Sequence, residues 1–218
     1  MTATAQRDAK SYVDARSIIV ERLRHERRGR RVGAIATAAF ALVAAHAPLW
    51  SGLARRGWPD SWSAAFLVAL GVVLALALAA TTALVFGAPL VRRGTLAVMA
   101  AVDLAAIVAF LVATSSPQPL AEMPRGGWAC FEGGFVHAVA MTGFLWIVRD
   151  YLRQSPAALW LTSALVAGTA VIALHYHCAD QGFWHLTIQH GAVLVPSAVL
   201  VWLVISRKTT AASEFGRN

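Results

Sequence analysis

The chain is poor in charge, in cysteine and in every short signature that marks a soluble enzyme. Only 14% of its 218 residues are charged, where a soluble domain carries about a quarter, so a solvated globule is excluded. Two cysteines without a Cys-x-x-Cys pair cannot staple a secreted miniprotein, and they supply neither a zinc module nor a thioredoxin-like centre. No Ser/His/Asp arrangement and no His-Glu-x-x-His occurs, which removes the common hydrolase mechanisms. Internal repeats are absent, as is an inverted pair of interrupted apolar segments of the transporter kind. What is present is apolar: 58% hydrophobic residues and a mean hydropathy of +0.59, too much for a disordered chain.

The hydrophobic residues fall into six runs, at about 32–50, 62–87, 95–113, 128–148, 157–177 and 184–205. A bilayer core needs about 20 residues of helix at about 1.5 Å each, so each run is long enough to cross. Backbone groups inside lipid must be satisfied within their own segment, which makes helices the assignment. The fold expected is therefore all-α, a polytopic membrane bundle of six transmembrane helices with a short cytoplasmic N-terminal helix. All eight tryptophans lie near predicted span ends, where an indole prefers the interface. Three regions follow: a basic amphipathic tail over 1–31, the membrane domain over 32–205 and a short tail over 206–218.

Lysines and arginines give the direction. Nine lie in the N-terminal tail, two each in 88–94 and 149–156, and three in the C-terminal tail, sixteen on one side. The other side has three, two in 51–61 and one in 114–127. The positive-inside rule then predicts a multi-pass inner-membrane protein with both termini cytoplasmic. Ala45-His46-Ala47 fits a small-x-small cleavage pattern, but the charged tail before it is too long for a signal peptide, and no cleavage is expected.

Within the tail, Tyr12, Ala15, Ile19 and Leu23 recur on one helical face, widened by Ile18 and Val20. Arg22 and Arg24 flank it, and the stretch 22–31 holds six arginines. One reading is a topogenic flank lying on anionic lipid. The other is a docking helix, its apolar stripe seated in a groove and its arginines against acidic neighbours. Direct nucleic-acid binding is not expected, since no reading module fits in so short a segment.

Chemistry-bearing side chains gather near the ends of spans four to six. Cys130, Glu132 and His137 lie in span four; His175, His177 and Cys178 end span five; His185 and His190 open span six. Asp103 stands near the middle of span three. Ionisable groups in a span cost about 2.5–3.5 kcal/mol each on insertion scales, so they face the interior and find partners. Three readings stay open for the Cys/His set: hydrogen bonding between helices, a zinc or copper site, and thiol redox chemistry through Cys130 and Cys178. Asp103 and Glu132 read as structural polar groups. A bis-histidine haem would need facing imidazoles, for which His137 and His190 are the best pair, and a small transport pathway through Asp103 is a further alternative.

In length, six spans, a short N-terminal tail and outer Cys/His positions, the chain resembles the NrsF-like membrane anti-sigma factors, and among them the regulators of light-induced carotenogenesis. That resemblance implies a non-enzymatic negative regulator of transcription. It would hold an extracytoplasmic-function sigma factor at the inner membrane and release it on a stimulus such as light or singlet oxygen. It implies that residues 1–31 bind the sigma factor and that Cys130 and Cys178 are the paired outer cysteines. As oxidisable side chains grouped on the same side, His137, His175, His177, His185 and His190 complete the expected sensing set with them, and no cofactor is expected. The His-x-x-x-Cys-x-x-Cys motif of soluble zinc anti-sigma domains is absent.

Overall fold

The computed structural model describes residues 3–51, 64–87, 92–122, 128–149 and 156–205. The tail 206–218 and most of the connecting loops lie outside the described residues. The protein is an all-α bundle with six helices long and apolar enough to cross a membrane. They are α1 (Ala3–Trp50), α2 (Ala64–Gly87), α3 (Arg93–Ala113), α4 (Ala129–Ile147), α5 (Pro156–His177) and a composite sixth helix, α6. Helix α6 opens with the turn Phe183–His185, passes through a π-helical turn at Leu186–His190 and a 3-10 turn at Gly191–Val193, and finishes as the α-helix Leu194–Ile205.

The basic tail is helical and continuous with the first span: α1 runs unbroken from Ala3 to Trp50. Arginine and glutamate are good helix formers, no proline occurs before Pro48, and an exposed Arg22–Glu26 pair at 3.6 Å sits at helical spacing in the basic stretch. Nothing at the junction near residue 31 interrupts the backbone ladder.

Helix α5 is the hub. It packs against all five other long helices, and from Leu161 to Tyr176 every residue is buried. Small side chains allow this: Ala164, Ala167 and Ala170 let neighbouring helices approach, and Gly168 lies against Leu78 and Ile107. Between helices in lipid, where tails are as apolar as leucine, such close van der Waals packing is the main attraction. On α1 the buried residues Ala34, Thr37, Ala41 and Ala45 form a comparable narrow seam. Phe40 of α1 stacks on Phe144 of α4, with centroids 4.2 Å apart.

The outer faces are apolar too. Val73, Val102, Val136 and Val199 are exposed, as are Trp128, Trp146, Trp160 and Trp202 close to helix ends. A water-soluble bundle would carry charge there; a lipid-facing one need not. Asp103 is buried in α3 and accepts a 2.7 Å hydrogen bond from Thr81 of α2.

Candidate functional site

The alternating spans bring the ends of α1, α3 and α5 together with the starts of α2, α4 and α6. Contacts mark this distal end. Tyr176 meets the ring of His46 and points its hydroxyl at the Val68 carbonyl. The segment after α3 pairs with the α5–α6 loop: Ser116 N–H donates to the Gln181 carbonyl at 2.7 Å, and Phe183 N–H to the Ser116 carbonyl at 3.0 Å. Trp184 N–H adds a 3.3 Å bond to the Gln118 side chain. The loop that carries Cys178 into α6 is thereby tied to α3.

Four side chains converge in this frame. One ligand-type atom from each of Cys130, Cys178, His185 and His190 lies within 4.8 Å of the others. Cys130 donates to Cys178 across 3.3 Å between sulfurs, and both cysteines are free thiols. His185 Nε2 lies 3.1 Å from the Cys178 sulfur. The rings of His185 and His190 are 5.4 Å apart, centroid to centroid. Cys178, His185 and His190 are buried, and Cys130 is half-buried.

Local structure explains the convergence. In an α-helix a five-residue spacing turns a side chain by about 140° beyond one full turn, which would separate His185 from His190. The π-turn between them widens the helix: Gly191 N–H reaches back to the carbonyl of Leu186, and five residues then make little more than one turn. Helix α4 is brought in by Gly134, where a β-carbon would lie 2.7 Å from Leu174 Cδ1 and from Val193 Cγ2. One turn earlier on α4, Cys130 reaches Cys178.

Beyond the four, Asp180 orders the loop. Its Oδ1 accepts from Gly182 N–H at 2.8 Å, and its Oδ2 lies 3.4 Å from His185 Nδ1. The carboxylate thus faces one ring nitrogen while the other faces sulfur. Hydrogen bonding from the Cys130 thiol pulls the Cys178 pKa below its ordinary value; burial opposes this, and the imidazoles of His185 and His190 add to it.

Compared with known proteins, the chain matches no family model, no curated protein and no solved structure.

The seven Cys/His positions singled out in the sequence separate into two groups. His175 lies behind the cluster, its ring 6.1 Å from that of His190 and 5.2 Å from that of Phe110. His137 is outside the set of four, and His177 is exposed. The His190 ring lies against those of His175 and His185. Glu132 is exposed on α4. On α1, Ile18, Ile19, Val20 and Leu23 are exposed, with Arg22 and Arg24 beside them; the side chains of Tyr12 and Ala15 lie outside the described ones. The sequence reading missed the tie between Ser116 and the α5–α6 loop, and the role of Gly134. The turn-forming stretch Ser116-Pro117-Gln118-Pro119 was the available signal for the first.

Proposed function

We propose that this protein is a membrane-tethered regulator that holds a soluble partner at the membrane through the N-terminal extension of α1. The observation that carries the reading is the continuity of that helix. Ile18 and Ile19 are 68% and 58% exposed, beyond the arginine stretch that ends the membrane-crossing part. In water an apolar cluster of this kind favours burial, at about 25 cal/mol per Å² removed from solvent. The arginines around it suit a partner with an acidic rim, adding encounter rate and register more than affinity.

Together with the resemblance in layout to NrsF-like anti-sigma factors, this favours an extracytoplasmic-function sigma factor as the partner, held at a bacterial inner membrane with both termini of the chain cytoplasmic. Transcription from the partner's promoters, carotenoid genes under light among the candidates, would be silent until release. The stimulus would act on the Cys/His cluster at the distal end. Helix α5 carries one of its cysteines at its C-terminal boundary and packs along α1, so a change there has a packed route toward the tethered partner. Affinity purification of the full-length protein from native membranes, with and without residues 1–31, tests the reading. Co-purification of a sigma factor only with the intact tail is expected. Equal recovery of that sigma factor without the tail refutes tail docking.

A further inference from the structure

The two thiols and two imidazoles come from α4, from the start of the α5–α6 loop and from α6, yet they meet in one small volume. Tetrahedral zinc, at about 2.3 Å to sulfur and about 2.0–2.1 Å to nitrogen, separates its ligand atoms by about 3.3–3.8 Å. The observed 3.3 Å between sulfurs and 3.1 Å from sulfur to His185 Nε2 need a small expansion to reach that spacing, and the remaining ligand atoms, all within 4.8 Å of one another, close onto the same centre by adjusting side chains. His190 is fully buried, its imidazole lies against the Cys178 sulfur, and neither ring nitrogen makes a hydrogen bond of good geometry to a described residue. A buried imidazole without a well-formed hydrogen bond is costly unless something else engages it.

We propose that Cys130, Cys178, His185 and His190 bind one zinc ion as a closed, four-ligand structural site at the distal end of the bundle.

The charge balance favours a divalent ion. Two thiols each release a proton to solvent, and two thiolates with two neutral imidazoles around Zn²⁺ make a group of zero net charge. Such a group can sit at the edge of a bilayer without the cost of a buried ion. A monovalent copper ion in the same set would leave one negative charge uncompensated, and a cupric ion would oxidise the thiolates. Asp180 supplies the outer carboxylate that commonly orients a zinc-bound histidine, facing the nitrogen that the metal does not use. The site joins the start of α4 to the end of α5 and the start of α6, so the metal would fasten three helices in place of a disulfide. This assignment is independent of the partner reading, because it concerns the purified chain alone.

The test uses full-length protein in detergent, reduced and stripped with a chelator, then titrated with Co²⁺. Binding at one equivalent is expected, with the visible absorption of tetrahedral cobalt and a sulfur-to-cobalt charge-transfer band, both lost when Zn²⁺ is added. His190→Ala and Cys130→Ser should lose the tetrahedral spectrum, whereas His177→Ala and His137→Ala should retain it. Since a cysteine variant can fail by misfolding, thiol alkylation provides a second readout. Zn²⁺ should protect both thiols of the unsubstituted protein and fail to protect them in His190→Ala, where both cysteines remain. No cobalt spectrum from the fully reduced protein, or an unchanged spectrum in His190→Ala, would overturn the proposal.

Discussion

Gly134 and Leu174 approach so closely that a β-carbon on Gly134 would fall 2.7 Å from Leu174 Cδ1. This contact presses α4 onto α5, and it is what allows Cys130, one turn earlier, to reach Cys178. Gly143 on the same helix has nothing within 4 Å of its missing β-carbon. Gly134→Val should therefore separate the helices at an overpacking cost of about 1–3 kcal/mol. The rate of oxidative Cys130–Cys178 cross-linking should fall with it. Gly143→Val should cross-link normally, and equal rates in the two variants would contradict the packing argument.

Asp180→Asn isolates the role of the carboxylate. Asparagine retains an oxygen for Gly182 N–H, so the loop keeps its shape, but the charge facing His185 Nδ1 is lost. Loss of such an outer partner commonly costs about 10–100-fold in metal affinity. Zinc affinity measured by competition with a chromophoric chelator should fall in that range, with helix content unchanged by circular dichroism.

Thr81, half-buried on α2, and Asp103, buried on α3, form a hydrogen-bonded pair. Thr81→Val removes the donor and leaves the carboxyl group short of a bond, at a cost of about 1–3 kcal/mol. Combining it with Asp103→Leu should recover much of that loss, because neither polar group is then stranded. Thermal unfolding of the four proteins of this cycle in detergent gives the coupling energy directly. Additive effects would mean that the two side chains act independently.

Replacing Ile19 and Leu23 with aspartate should abolish partner retention and leave target transcription constitutively on. A carboxylate carried into an apolar groove is desolvated without a counter-ion. Arg22→Ala and Arg24→Ala should weaken retention less, since rim charges chiefly set the encounter rate. Reporter transcription in cells carrying each variant provides the comparison. Normal repression by the Ile19/Leu23 double variant would leave the tail as a membrane flank.

The Lys/Arg distribution of sixteen to three makes a topological prediction. Reporter fusions after Asn218 and within 88–94 should be cytoplasmic, and a fusion within 114–127 should lie on the opposite face. A C-terminal fusion active on the far side would break the assigned orientation.

The sequence by itself determined the number and extent of the spans, because crossing a bilayer is a requirement on length and apolarity along the chain. The run read at about 95–113 is the helix Arg93–Ala113, and that read at about 157–177 is Pro156–His177. Helical periodicity also exposed the apolar stripe around Ile19 and Leu23. It did not show that this stripe continues rigidly into the first span, since the change from charged to apolar at residue 31 is a change of solvent and not of backbone. The sequence collected the cysteines and histidines near the same span ends but had no means of choosing among them. Tertiary structure made that choice. A π-turn rotated His190 onto the side of His185, and a close approach at Gly134 carried Cys130 to Cys178, while His137 and His177 were left outside. Both effects depend on rotations and separations between elements far apart in the chain, which linear spacing does not encode.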